Sequence, residues 1–364
     1  MRHEIKEIEI YKATSKISQP IADSTHTISE IAFYVVEVVL ENHIRGQGYL
    51  LAFHYSPAGI EGALQDIRSF VLRKGYCVYE TVRLKNDYDI EAEYFGVNGL
   101  QKWAAAAVNV AMWDAWGKCL DAPIWKILGS GARKIPVYGS GGWLSYSDEE
   151  LLDEVVGYKN RGFTAVKIKV GSSQGVEHDL QRLTLCREAL GTGVNIMMDA
   201  NQGLTVADAL TLAIRAEKLG IRWFEEPVKN TDFAGYELLR QKAGISLAMG
   251  EREYDCEALK ALISRNALDM WQPDLIRIGG VEEWRHSVAL GNAYHIPALP
   301  HYYKDYDVPL LCTVSRGYGA ESFDWIDGII DNTMHIENGY AYPREGAGWG
   351  FQFLPQYLTP IVTV

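Results

Sequence analysis

Two hydrophobic rhythms divide this chain. In its first third, KEIEIYKA (6–13), IAFYVVEVVLEN (31–42) and GQGYLLAFH (46–54) are rich in β-branched and aromatic residues, with polar or glycine-containing breaks between them. That is the pattern of strands, and the short links predict an antiparallel meander. LQKWAAAAVNVAMWDAWGKCL (100–120) then reads as a helix, with Trp103, Ala107 and Val110 on one face and alanines of high helix propensity. Its tryptophans read as core packing.

From about Lys134 the rhythm changes, and short apolar runs alternate with amphipathic helices. VYGSGG (137–142) precedes a helix opened by a capping box, Ser147 with Glu150, and closed near Gly162. AVKIKVG (165–171), IMMDANQG (196–203) and RWFEEPV (222–228) lead into helices that close near Gly191, Gly220 and Gly244. Later units start at SLAMGE (246–251), MWQPDLI (270–276), IPALPH (296–301) and GAESFDW (319–325). The eight apolar runs are continuous rather than alternating, as parallel strands covered by helices should be, and they spell a parallel β/α barrel. The competing doubly wound sheet usually carries a glycine-rich phosphate turn, and GxGxxG is absent. The expected organisation is an N-terminal α+β domain over 1–130, an α/β barrel over 131–329, and a segment 330–364 that extends the barrel or returns to the first domain.

Composition narrows the picture. A chain of 364 residues with 48% hydrophobic and 23% charged residues can bury two cores and is not disordered. A net charge of −12 argues against a nucleic-acid binder. No apolar run is long enough to span a membrane, and the first residues do not form a signal peptide. The five cysteines (Cys77, Cys119, Cys186, Cys256, Cys312) are scattered without a CxxC pair, which disfavours disulfides or a zinc site. A cytoplasmic protein is expected, a homo-oligomer acting on a small-molecule carboxylate, with no nucleic acid and no membrane as partner.

Candidate chemistry gathers at the C-terminal ends of the barrel strands, where barrel active sites are built. Lys167 and Lys169 end the second strand, Asp199 and Asn201 the third, and Glu225 the fourth; Glu251, Asp274, His301 and Glu321 follow on strands five to eight. Asp199, Glu225 and Glu251 are equally spaced, one per adjacent strand. Three carboxylates in one arc repel one another without a cation, and a hard oxygen set with no histidine or thiolate suits Mg²⁺. Glu226 alternates to the other face and reads as structural. Lys167 and Lys169 share a face and read as a base and a carboxylate clamp; nearby positive charge and burial would favour the neutral lysine that a base must be. His301, with Asp274 on the adjacent strand, reads as an oriented and more basic imidazole. No GxSxG supports serine chemistry.

The motifs Lys167-Ile168-Lys169, Asp199-Ala200-Asn201, Glu225-Glu226-Pro227, Gly250-Glu251 and Gln272-Pro273-Asp274, with His301 and Glu321, resemble the enolase superfamily and, within it, the mandelate racemase subgroup. The resemblance spans nearly the whole chain, including WDAWGK (113–118). It implies a modified (β/α)8 TIM-type barrel closed by an α+β capping domain, with a C-terminal return to the cap. It implies Mg²⁺ on Asp199, Glu225 and Glu251, Lys169 as one base, and His301 with Asp274 as the other on the opposite face of the substrate. Lys167 and a protonated Glu321 would hold the substrate carboxylate, and Asn201 matches a polar position near the metal. The implied reaction removes the proton α to a carboxylate. Dehydration of an acid sugar to a 2-keto-3-deoxy acid and racemisation of a 2-hydroxy acid both follow from it; a non-catalytic sugar-acid binder is the third possibility. The loop bearing Lys16, Ser18, Ser24 and His26, with His54, Tyr55 and Ser140 nearby, is polar and favours a polyhydroxy acid, hence dehydration. Asp305, Asp307 and Pro309, following His301, depart from the subgroup's pattern.

Overall fold

The alanine run and the glycines of GQG are two halves of one contact. In the computed structural model, which describes residues 3–361, strands β1 (Ile5–Ser15), β4 (Ile31–Leu40) and β5 (Arg45–Leu51) form an antiparallel sheet, with a small hairpin, β2 (Ile21–Ala22) and β3 (Thr27–Ile28), between the first two. Helices α1 (Pro57–Lys74), α2 (Thr81–Ala92) and α3 (Leu100–Cys119) follow. A Cβ on Gly48 would lie 2.4 Å from the Ala107 carbonyl oxygen, and one on Gly46 2.3 Å from that of Ala111. Glycine on the strand and alanine on the helix together let α3 lie directly on β5. The outer edge of β5 is closed by side chains: the N–H groups of Gln47, Tyr49 and Leu51 donate to Asp114, Tyr306 and Tyr303. The sheet edge is thereby paired to α3 and to the barrel rather than left open.

After the short α4 (Ile124–Ile127), six parallel strands run consecutively: β6 (Ile135–Gly141), β7 (Ala165–Lys169), β8 (Asn195–Asp199), β9 (Ile221–Glu225), β10 (Ser246–Met249) and β11 (Met270–Trp271). Helices α5 (Asp148–Asn160), α6 (Val176–Leu190), α7 (Val206–Ala216), α8 (Phe233–Lys242), α9 (Cys256–Ser264) and α10 (Val281–Ala293) connect them in turn and lead on from β11. The Ser147–Glu150 capping box is formed at α5, and Thr205 caps α7 through the Asp208 N–H. The seventh strand is a set of single bridges, Trp271 to Ala298, Asp274 to His301 and Ala298 to Gly317, because Pro297 and Pro300 have no N–H to give a ladder. After α11 (Lys304–Leu311), β12 (Ala320–Ser322) pairs with β6 and closes the barrel. The C-terminal stretch does both things open to it: hairpin β13 (His335–Glu337) and β14 (Tyr340–Tyr342) adds antiparallel to β6, and β15 (Thr359–Pro360) pairs with β1. Residues 1–2 and 362–364 of the end segments lie outside the described residues.

The barrel interior is filled by Tyr138, Met197, Trp223, Ala248, Met270 and Leu299. Met197 and Trp223 stand two residues before Asp199 and Glu225 and share their face. The polar mouth therefore rests on an apolar plug. Among the described residues no helix is long and apolar enough to cross a membrane.

Candidate active site

Strand register assembles the mouth. Lys169 pairs with Asp199, and Asp199 with Glu225, across β7, β8 and β9. Glu251 follows Gly250, whose φ of +137° and 2.6 Å clearance between an added Cβ and the Trp271 ring admit only glycine. Beyond the strands, Asn201 (φ +41°), Glu226 (φ +36°) and Tyr302 (φ +66°) adopt the left-handed region, at a cost of about 1–3 kcal/mol each. All three stand just past strand ends at the mouth.

A cavity of about 320 Å³ opens between the mouth and the N-terminal sheet. Lys169, Asn201, Glu251, Asp274, His301 and Glu321 line it from the barrel, and Tyr55 from the cap. Lys167, Asp199 and Glu225 are buried and absent from its lining. Lys167 Nζ lies 2.6 Å from both Glu225 and Glu321, and Lys169 Nζ is 2.5 Å from Asp199. Gln272 donates to the other Glu225 oxygen at 2.7 Å. His301 Nδ1 is 2.8 Å from Asp274 Oδ2 while its Nε2 is 3.3 Å from Glu251. Asp274 Oδ1 accepts the N–H groups of Ile276 and Arg277, both at 2.9 Å.

The charges respond to this packing. Burial, with Asp199, Glu321 and Glu251 as neighbours, outweighs Lys167 and pushes the Glu225 carboxyl up to about 7. Burial acts against the His301 imidazolium, but Glu251 and Asp274 overcome it and hold the ring at about 9. Glu251 is driven well below the usual carboxylate range despite burial, by His301, Arg252, Arg277 and Lys169. Glu226, buried against Arg252 at 2.9 Å, accepts a hydrogen bond from Gln202 and supports the neighbouring loop.

Several expectations need correction. Lys169 is not favoured as the neutral amine: burial pulls its pKa down, but Asp199 in direct contact raises it above the ordinary lysine value. Lys167 shifts the same way, held by Glu225 and Glu321 against burial. Glu321 is not protonated; burial opposes its charge, yet Lys167, His301 and Lys169 bring it down to about 2, and it accepts the Tyr302 N–H. The three candidate metal carboxylates lie on adjacent strand ends, and lysines contact two of them, Lys169 on Asp199 and Lys167 on Glu225. Buried carboxylates need a counter-charge, and here the lysines of β7 supply it. Lys16 lies exposed past the end of β1, and His54 is exposed and packed against Tyr55 with a ring separation of 4.1 Å; neither lines the cavity. Ser140 is buried in register with Lys167, its Oγ unpartnered, and also lies off the cavity surface.

The expected polar lining is replaced on one side by aromatic rings. Trp143, Phe323, Trp325, Phe53 and Tyr302 line the cavity, with Phe323 stacked on Trp325 at 4.2 Å and Phe53 edge-on to it at 5.6 Å. Trp103 lines it too, under the Arg277 guanidinium, so it is not solely core. Asp23, Arg252 and Arg277 also face the cavity. Sequence reading passed over these residues; for Arg252, Arg277, Phe323 and Trp325 the local signal was position, shortly after strand-end residues Glu251, Asp274 and Glu321, whereas Asp23, Phe53 and Trp143 carried no such signal. The departure after His301 is structural: Asp305 forms a buried pair with Arg344 at 2.6 Å, and Lys304 binds Asp327.

Comparison with known proteins agrees with this architecture. Residues 5–129 match the mandelate racemase/muconate lactonizing enzyme N-terminal domain, and residues 150–357 match the enolase C-terminal domain-like family. The chain belongs to the enolase superfamily, in its mandelate racemase/muconate lactonizing branch. It is similar to an arabinonate dehydratase of Saccharolobus solfataricus, 31% identical over 71% of each chain. A 3,6-anhydro-α-L-galactonate cycloisomerase of Streptomyces coelicolor is 26% identical over 91% of each. The crystal structure of L-talarate/galactarate dehydratase from Salmonella typhimurium, liganded with Mg and L-lyxarohydroxamate, shares the fold with a TM-score of 0.92 at 24% identity, covering 97% of this chain and 92% of that one.

Proposed function

We propose that this protein abstracts the proton α to the carboxylate of an acid sugar and expels a β-hydroxyl, yielding a 2-keto-3-deoxy acid. The observation that carries the reading is the pair of proton-transfer groups on one cavity: Lys169 from the second strand and the His301–Asp274 dyad from the sixth and seventh. Asp199, Glu225 and Glu251 fit Mg²⁺ by their chemistry, since all are hard oxygen donors on adjacent strands and Glu225 is crowded by like charge. Mg²⁺ held there supplies positive charge near the substrate carboxylate as negative charge develops on it.

The chain's own residues do the rest. Lys167, fixed between Glu225 and Glu321, adds a second positive charge beside the carboxylate site. Preorganised charge of this kind usually contributes the largest share of catalysis, and loss of one such donor costs about 2.7–4 kcal/mol of barrier. Lys169 is held protonated while it contacts Asp199; were Asp199 engaged by Mg²⁺ instead, burial and the neighbouring Lys167 charge would favour its neutral form, and that amine takes the α-proton on one side. His301, with Asp274 fixing its ring, serves as base for the other configuration or as the acid that protonates the leaving hydroxyl. The S. solfataricus relative is named as a dehydratase, which favours elimination.

The aromatic side of the cavity favours a second reading, racemisation of a 2-hydroxy acid with a ring substituent. Incubation of the Mg²⁺-loaded enzyme with a panel of acid sugars and aryl 2-hydroxy acids in D₂O separates the two. Keto-acid formation from an acid sugar is expected. Deuterium entering an aryl substrate without loss of that substrate, and no keto acid from any sugar, would overturn the dehydratase reading.

A further inference from the structure

Asp23 places a carboxylate oxygen without a hydrogen-bond partner among the described residues on the cavity wall. It sits at the tip of the β2–β3 hairpin, and that hairpin is tied to the barrel at three points. Ser24 Oγ donates to the Ala200 carbonyl, the Ala22 N–H donates to Ser145 Oγ, and the Leu144 N–H donates to the Ala22 carbonyl. Ser24 is seated against Gly171 and Gly203, where an added Cβ would meet it at 3.2 and 2.4 Å. Within the hairpin, Asp23 Oδ1 accepts the N–H groups of Thr25 and His26, both at 2.7 Å, and lies 3.5 Å from His26 Nδ1. Those contacts are the turn's own and explain one oxygen. Oδ2 makes no hydrogen bond among the described residues, although the side chain is only 9% exposed and lines the cavity. Burial works against its charge, but His26 and Lys169 hold the carboxyl down at about 2, so it is ionised at neutral pH.

The basic side chains lining the cavity have protein partners: Lys169 is on Asp199, Arg252 on Glu226, His301 on Asp274, His26 beside Asp23 itself, and Arg277 donates one N–H to the Glu251 carbonyl while covering Trp103. Beyond the strand-end floor, where the reading above places the substrate carboxylate, a substrate meets at Asp23 a fixed negative charge with a free acceptor. We propose that Asp23 is a specificity-determining residue that selects acid sugars with a single carboxylate, aldonates, whose hydroxyls donate to it, and turns away aldarates, whose second carboxylate meets its charge. The inference rests on the acid-sugar reading above and adds to it the charge of the preferred substrate.

The cavity size sets the magnitude. A compact space of 320 Å³ is roughly 8 Å across, which sets the scale of the separation between Asp23 and a second carboxylate bound in it. At an effective dielectric constant of about 20, the repulsion from Asp23 taken by itself amounts to a factor of about thirty in affinity. Discrimination by an opposed charge of this kind acts against the wrong ligand rather than for the right one.

The test uses the Mg²⁺-loaded enzyme with pairs of aldonates and aldarates of the same configuration, measuring both calorimetric binding and kcat/KM. Wild-type protein should bind and turn over the aldonate of a pair at least about tenfold better. Asp23→Asn keeps the oxygen that closes the turn and removes the charge, and it should shrink that ratio by about tenfold. Equal or better binding of the aldarates by the wild type, or a binding ratio unmoved in Asp23→Asn, overturns the proposal. A binding ratio that behaves as expected, with no keto acid formed from any pair, supports the proposal and overturns only the dehydratase reading.

Discussion

Replacing Asp274 by Asn should disable His301 through its tautomer. Asp274 Oδ1 accepts two backbone N–H groups, from Ile276 and Arg277, at 2.9 Å each. In Asp274→Asn those donors retain the amide oxygen, so the NH₂ group is forced to the Oδ2 position, 2.8 Å from His301 Nδ1. A neutral ring must then present an unprotonated Nδ1 to that donor and carry its proton on Nε2, which points towards Glu251 at 3.3 Å. Nε2 can no longer accept a proton, and the imidazolium loses its partner charge. Opposite charges about 4 Å apart at an effective dielectric constant of about 20 interact by about 4 kcal/mol, or about a thousandfold in rate. That falls within the usual range for a lost general base, about 10²–10⁴. The assay is steady-state kcat and KM with an active acid sugar, beside Mg²⁺ affinity by calorimetry. A fall in kcat of that size is expected, with KM and Mg²⁺ affinity nearly unchanged. A kcat within a few-fold of wild type, or collapse of Mg²⁺ affinity with proton transfer intact, would refute the dyad.

Three further outcomes are expected. Chelation should abolish turnover, Mg²⁺ should restore it, and Mg²⁺ should raise the melting temperature, because a ligand of the native state stabilises it; activity persisting in metal-free protein would contradict this. Glu154, half-buried on α5 where it accepts the Gly142 N–H, has its carboxyl pushed up to about 7 by desolvation. A raised acid binds more protons folded than unfolded, so its contribution to stability falls as pH rises from about 4.5 to 7, by about 3 kcal/mol in all. Glu154→Gln should therefore gain stability relative to wild type between pH 5 and pH 8, and a pH-independent difference in melting temperature would count against that account. Gly48→Ala forces a methyl against the Ala107 carbonyl at 2.4 Å and should cost about 1–3 kcal/mol, read as a lower urea midpoint at constant slope; an unchanged midpoint would mean that α3 can move off the sheet.

Much of this molecule was open to reading from its residues in order, because the relevant physics is local. Continuous apolar runs alternating with capped amphipathic helices can bury both faces of a strand only in a helix-covered parallel sheet, so Ser147–Glu150, Thr205 and the closing glycines marked the units. The period-two geometry of a strand put Lys167 and Lys169 on one face, and one polar residue at each strand end located the mouth. Other features depended on contacts between distant segments. Only the folded chain brings Asp23 and Phe53 from the cap over strands that lie far along the chain, together with Trp143, Phe323 and Trp325, and so turns a cavity expected to be polar into one walled by aromatic rings. Likewise, the charge states of Lys169 and Glu321 depend on which counter-ion each meets: Asp199 at 2.5 Å keeps Lys169 protonated, and Lys167 at 2.6 Å keeps Glu321 ionised. Local pattern decides which way a side chain faces; its protonation depends on burial and on partners that tertiary packing supplies.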